Sequence, residues 1–365
     1  MSEWVIPLHA IKGRGAATRL AHRFESVARD AFDDGWGSLE DATRHGVPSD
    51  TGLPTEVQYE DAKSAITRNR SPDIHFDYGL NPYRGCEHGC IYCYARPTHS
   101  YLNLSPGLDF ETKIIAKRNL AAVLARELAA RSYVPQQIII GSATDAYQPL
   151  ERRLRITRGV LELLQRCHHP LALVTKGSGV ERDLDLLAPM AARRLAAVYV
   201  TITTLDGELA RKLEPRAAAP QRRLRVIRTL AAAGVPVGVS VAPQIPFIND
   251  DMEQVLTAAF EAGARSAFYS VLRLPWELSA LFQQWLALHY PQRAARVMAR
   301  LREMRGGQDY DSNFATRMPG HGPWADLMRQ RFEKTCARLG LNRERLELDV
   351  SQFRRSLLSG QASLF

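Results

Sequence analysis

Three cysteines fall within eight residues: Cys86, Cys90 and Cys93, in the run Asn81, Pro82, Tyr83, Arg84, Gly85, Cys86, Glu87, His88, Gly89, Cys90, Ile91, Tyr92, Cys93, Tyr94. The spacing is Cys-x3-Cys-x2-Cys. Thiolates so spaced wrap one loop around a compact soft metal centre. Gly85 and Gly89 let that loop turn tightly. Three ligands on a four-iron cluster leave one iron open for a non-protein ligand. A structural zinc knot is the other reading. It needs four ligands in a closed site, and His88, inside the loop, would have to reach the same metal. Cys167, at a helix end, and Cys336, in a late helix, stand apart and read as buried bystanders. An odd count of five cysteines argues against a disulfide framework.

The elements that must position such a loop follow from apolar periodicity. Residues 112–131 carry helical spacing through Ile115, Leu120, Leu124 and Leu128. Ile138, Ile139 and Ile140 form a buried strand. Helical segments at 151–168, 181–194, 220–233 and 251–263 then alternate with apolar strands at 171–175, 198–203, 235–241 and 266–271. Strand starts near 137, 171, 198, 235 and 266 predict a parallel sheet with right-handed crossovers. A strand before Cys86 makes six. Such an array is an open doubly wound sheet or a partial barrel, and either way its chemistry sits at the carboxyl ends of the strands. Residues 1–70 read as irregular, with short helices at most. Segments 276–289, 292–304 and 323–339 read as helices of an extension.

With Tyr92 just before the third cysteine, the loop resembles the cluster loop of radical S-adenosylmethionine enzymes, and the resemblance runs from about residue 78 to 275. Within that superfamily the chain looks most like the spore photoproduct lyase-like group, the DNA repair photolyases. The matching segments are residues 83–96 and the run from Gly141 through Ser142, Ala143, Thr144, Asp145, Ala146, Tyr147 and Gln148 to Pro149. Val174, Thr175 and Lys176, and Glu214, Pro215 and Arg216, add to the match.

The resemblance implies a partial (β/α)6 barrel of the radical SAM type at 78–274. An irregular N-terminal region (1–77), a C-terminal helical extension (275–355) and a tail (356–365) flank it. It implies that Cys86, Cys90 and Cys93 hold a [4Fe–4S] cluster whose open iron is chelated by S-adenosylmethionine. Reductive cleavage would then release a 5′-deoxyadenosyl radical, with a reductant such as flavodoxin or ferredoxin feeding the cluster. Lys176, one of only seven lysines, would pair with the cofactor carboxylate. Ser142, Thr201 and Thr203 would meet its polar groups, Tyr92 its adenine, and Glu214 and Arg216 its ribose or each other. Asp145, Tyr147 and Arg273 are substrate-side candidates, Arg273 as a guanidinium clamp for phosphate. One segment departs from the lyase pattern. Where the lyase is held to carry a hydrogen-donating cysteine, this chain has Gly141, Ser142, Ala143 and Thr144, with no thiol.

Composition narrows the partners. The 365 residues carry 48 basic and 39 acidic side chains, a formal charge of +9. Residues 1–80 hold 9 basic and 13 acidic groups (−4), so residues 81–365 hold 39 and 26 (+13). A basic body invites an anionic partner such as DNA. The 45% apolar content excludes a disordered chain. No apolar run reaches a membrane span, and the N-terminus lacks a signal-peptide pattern, so a cytoplasmic location is expected. The chain ends Gln361, Ala362, Ser363, Leu364, Phe365, which resembles the bacterial sliding-clamp pentapeptide. Gln361, Ser363, Leu364 and Phe365 are its candidate contacts. The leading expectation is a radical enzyme acting on DNA or a nucleotide lesion. The alternatives are the same chemistry on RNA, protein or a small molecule, and a non-catalytic metal-binding accessory protein of the clamp.

Overall fold

The computed structural model describes residues 9–25 and 53–358. The clamp-like pentapeptide, residues 361–365, lies outside the described residues. Among the described residues ten strands form two sheets: β1 (Glu56–Glu60), β2 (Thr67–Arg68), β3 (Tyr78–Leu80), β4 (Tyr83–Arg84), β5 (Lys113–Lys117), β6 (Ile138–Ile140), β7 (Leu171–Thr175), β8 (Ala196–Thr201), β9 (Val237–Ser240) and β10 (Ser266–Phe268). The larger sheet has the order β10-β9-β8-β7-β6-β3-β2, and β3 and β6–β10 run parallel. These are the six strands of the expected partial barrel. Parallel neighbours need a crossover. Leu120–Ala129, Ile156–Arg166, Leu184–Ala192, Pro220–Ala232 and Met252–Glu261 lie in those connections.

Side chains alternate across a strand. Ile138, Ile140, Leu171, Leu173, Val198, Val200, Val237 and Val239 face the crossover helices and share their core. The opposite, inner face begins with Gly79, Ile139, Ala172 and Ala197 in register. Phe76, Leu346 and Leu348 pack against Ile139, Ala172 and Ala197 there. Leu346 and Leu348, beyond the last helix of the extension, therefore cover one end of this inner face.

Three expectations are corrected. Residues 112–131 are not one helix. Lys113–Lys117 is strand β5, with Ile114 and Ala116 buried between half-exposed neighbours, and the helix starts only at Leu120. Nor is the region before residue 70 wholly irregular: β1 pairs in parallel with β5, which also pairs antiparallel with β4. The segment 151–168 is broken at Arg155, whose φ of 54° ends one short helix and begins the next. The late helices Glu277–His289, Pro291–Glu303 and Pro323–Leu339 are present. Among the described residues no helix is long and apolar enough to cross a membrane.

Candidate active site

The cysteine loop leaves β4 and crosses the carboxyl ends of the barrel strands. Gly85 and Gly89 both have positive φ, 78° and 66°, a region that costs a Cβ-bearing residue strain. A Cβ at Gly89 would also come within 2.6 Å of Glu111 Oε2. Cys86 and Cys90 are buried, Cys93 is half-buried, and all three are free thiols. Burial pushes the Cys86 thiol well above its usual range, with Asp145 and Cys90 adding to the shift. Burial likewise pushes Cys90 up to about 12, against the pull of Lys176. Soft metal binding would replace those protons.

An arginine that the sequence reading passed over holds this loop. Arg96 is fully buried. Its Nε donates to Cys90 O at 2.8 Å, one terminal nitrogen donates to Gly89 O at 3.0 Å and to Glu111, and the other reaches Pro106 O at 3.2 Å and Gly107 O at 3.0 Å. All five guanidinium donors are used. Glu111 also accepts from the backbone of Gly15 at 2.9 Å and Ala16 at 2.8 Å. The N-terminal segment is thereby pressed on the loop, so closely that a Cβ on Gly15 would overlap Gly89 O.

On the other side of the loop, Tyr92, Thr203 and Glu214 meet in a buried network. The Tyr92 and Thr203 hydroxyls both donate to Glu214 Oε1, while Arg223 pairs with Oε2 and donates to Thr201 O at 2.9 Å. Burial works against the Glu214 carboxylate, but the Arg223 and Lys176 charges and the hydrogen bonds hold it at about 2. Thr201 and Thr203 thus sit where the strand pattern put them. Glu214 and Arg216, expected on the ribose or on each other, do not pair: Arg216 binds Glu87 at 3.1 Å and Thr55 at 3.2 Å. Ser142 follows β6, where its Oγ lies 3.5 Å from Asn81 Nδ2 and its carbonyl accepts from the Tyr94 hydroxyl.

Asp145 and Tyr147, expected on the substrate side, spend their polar groups inside the protein. Asp145 accepts from Thr175 Oγ1 at 2.7 Å, Lys176 N at 2.6 Å and Tyr147 N at 2.8 Å. His88 Nδ1 lies 3.2 Å from its other face. Burial alone would raise the Asp145 pKa; the His88 charge and these donors hold it below the usual carboxylate range. Asp145 therefore ties the loop after β6 to the end of β7 and to the cysteine loop. The Tyr147 hydroxyl donates to buried Asp183 at 2.9 Å. His88, which a zinc knot would need as fourth ligand, faces Asp145.

Two cations remain at the mouth. The Lys176 ammonium lies 5.7 Å from the Tyr92 ring centroid and has no hydrogen-bonding or ion-pair partner among the described residues. Burial lowers its pKa, but its interactions with Cys90, Glu214 and Asp145 overcome this and leave it raised above the ordinary lysine value. Arg273 stacks 5.3 Å from the Tyr94 ring; among the described residues its hydrogen-bonding contact is the Met318 thioether, at 3.3 Å, and its buried Nε has no partner there. Arg305 brings Met318 there by latching Thr316 O and Arg317 O, each at 2.8 Å, to Leu272 O at 3.0 Å. The donor set fits a cluster with a small zwitterionic ligand: three free thiols on a glycine-turned loop, with an unpartnered ammonium beside Cys90. Cys167 and Cys336 lie far from this set in sequence, packed in the core between sheet and helices.

Comparison with known proteins agrees with this architecture. Residues 80–259 match the Radical SAM superfamily. A Mycobacterium tuberculosis protein of uncharacterized function is 38% identical over 286 residues, covering 76% of this chain and 84% of its own. Another from Methanocaldococcus jannaschii is 27% identical over 231 residues, covering 63% and 82%. Among solved structures, a spore photoproduct lyase variant superposes with a TM-score of 0.51 at 16% identity, covering 79% of this chain and 83% of that one.

Proposed function

The chain belongs to the radical S-adenosylmethionine superfamily, and from that premise we propose that this enzyme acts on DNA or a nucleotide lesion in the manner of a repair lyase. When bound, the [4Fe–4S] cluster and S-adenosylmethionine supply the electron and the 5′-deoxyadenosyl radical that abstracts hydrogen from a substrate. The protein's part is placement. Cys86, Cys90 and Cys93 hold the cluster, with Arg96 fixing the carbonyls between them. Lys176 offers its ammonium to the cofactor carboxylate. Ser142, Thr201 and Thr203 line the strand ends beside it, with Tyr92 held over the site by Glu214. A one-electron donor such as flavodoxin or ferredoxin serves the cluster.

The observation that carries the nucleic-acid reading is Arg273. A guanidinium beside the cluster loop, with no carboxylate partner among the described residues and one nitrogen on a thioether, is a receptor for an anion. The +13 charge of residues 81–365 favours a polyanion over a small acid. On this reading residues 78–274 are the catalytic unit, 1–77 and 275–355 support it, and the tail at 356–365 recruits it to a sliding clamp in the cytoplasm through Gln361, Ser363, Leu364 and Phe365.

The test is anaerobic reconstitution followed by 5′-deoxyadenosine measurement with damaged DNA, undamaged DNA, RNA and no addition. The reading expects damaged DNA to raise turnover and binding to weaken steeply with salt. Stimulation by RNA alone, or salt-independent binding, would replace it with the other substrate class.

A further inference from the structure

Above the end that Leu346 and Leu348 cover, the inner face of the sheet carries two further levels of side chains. Val174, Tyr199, Gly238 and Ser266 stand in register across β7–β10, and Thr201, Ser240 and Phe268 form the next level. All lie on the inner face, opposite the residues that pack the crossover helices. Gly238 is the feature that organises them. A Cβ there would overlap the Tyr199 ring, so the missing side chain lets Tyr199 lie across β9 toward β10. Glycine weakens a strand interior and marks a close approach. Tyr199 reaches Phe268, with ring centroids 5.6 Å apart and planes tilted by 58°.

A phenylalanine on the inner face of a barrel strand is ordinarily covered. Phe268 is 40% exposed. Tyr199 is half-buried, and its hydroxyl has no hydrogen-bonding partner among the described residues. Around the two rings the inner face carries the small groups Gly238, Ser240 and Ser266. Five residues further along the same chain segment comes Arg273. An extended chain of that length spans at most about 17 Å.

We infer that Tyr199 and Phe268 form a stacking wall for a nucleobase, with Arg273 holding a phosphate of the same strand. This rests on the nucleic-acid reading above and names how such a substrate would be seated. An aromatic face accepts any base, because every base has a π-face. A base that must reach the chemistry has to leave its stack, and a pocket that restacks it offsets part of that cost. The unpaired guanidinium then distinguishes a nucleotide from a neutral planar molecule.

The experiment uses reconstituted, full-length protein and two short fluorescein-labelled single strands of equal length, one intact and one abasic throughout. Binding is read by anisotropy for wild type, Phe268→Leu and Gly238→Ala. Phe268→Leu keeps apolar bulk but loses the π-face; Gly238→Ala displaces Tyr199 without removing a ring. S-adenosylmethionine affinity, by calorimetry, and the thermal midpoint are measured for each. Wild type should prefer the intact strand. Phe268→Leu should weaken the intact strand about ten-fold, ~1.4 kcal/mol, with abasic binding and cofactor affinity unchanged. Equal loss on both strands, or no loss, overturns the wall. Loss of cofactor affinity instead assigns the rings to the cofactor's adenine and also overturns it. A wild type that binds neither strand refutes the nucleic-acid reading itself, a result distinct from binding that ignores the substitutions.

Discussion

Replacing Arg96 by Met removes a guanidinium whose five donors all end on the cluster loop or its supports. Met is apolar and of similar reach, so the change isolates the polar contacts from volume. Breaking a buried ion pair from one side costs about 3–5 kcal/mol, because the partner charge stays buried. Here the partner is Glu111, itself fully buried. Its bonds from Gly15 N and Ala16 N leave it part of its compensation, which argues for the lower half of that range. Each carbonyl left unmet adds about 1–3 kcal/mol unless water enters, and four are at stake. With water meeting most of those carbonyls, a loss of about 5 kcal/mol remains, a large part of the ~5–15 kcal/mol margin of a folded protein. The thermal midpoint should fall by roughly 10 °C or more. Iron per chain after anaerobic reconstitution should drop further than the folded fraction does, because Gly89 O and Cys90 O are the carbonyls freed. Arg96→Lys keeps the charge against Glu111 but offers three donors in place of five, so it should fall between. A methionine variant with wild-type melting and wild-type iron would refute this account of how the loop is held.

Other consequences are as direct. Gly89→Ala should destabilise the protein and lower its iron content, since φ is positive and the new Cβ meets Glu111; parallel melting and iron titration would check it. Buried His99 and His169 are both lowered to about 4 by burial. Between about pH 4 and 6.5 the unfolded chain therefore binds more protons than the folded one, so stability rises with pH across that window and is lost as the pH is lowered, by about 2 kcal/mol per histidine at pH 5 relative to pH 7. Melting curves at pH 7 and pH 5 should show this. His169→Gln, which still offers Tyr133 an acceptor, should flatten part of the slope. Deleting residues 361–365 should leave 5′-deoxyadenosine formation intact and abolish clamp binding in a pull-down with purified clamp; equal binding would remove the tail from the account.

The cysteine loop and the six barrel strands could be read from the chain because both are local signals: a spacing, and short apolar runs with helical segments between them. Strand β5 could not. Lys113, Ile114, Ile115, Ala116 and Lys117 fit a helical stripe as well as an alternation, and only pairing with β1, more than fifty residues earlier, decides between them. Arg96 was missed for the same reason. Its position three residues after Cys93 is visible, but its partner Glu111 and the Gly15–Gly89 contact depend on tertiary packing. Asp145 was found for its place after a strand, yet its role follows from His88 in the cysteine loop and Thr175 and Lys176 at the end of β7, two segments distant in sequence. The Tyr199–Phe268 pair had no sequence signal beyond Gly238 inside an apolar strand.

The most direct test of the central claim is the amount of 5′-deoxyadenosine formed per chain by anaerobically reconstituted protein, given S-adenosylmethionine and a strong reductant. It should be run alongside Cys86→Ala, Cys90→Ala and Cys93→Ala. The account predicts about four irons per wild-type chain, with product accumulating, and neither iron nor product above background in any of the three variants. Product from a variant that holds no iron, or a wild type that binds one zinc per chain and forms none, would contradict it.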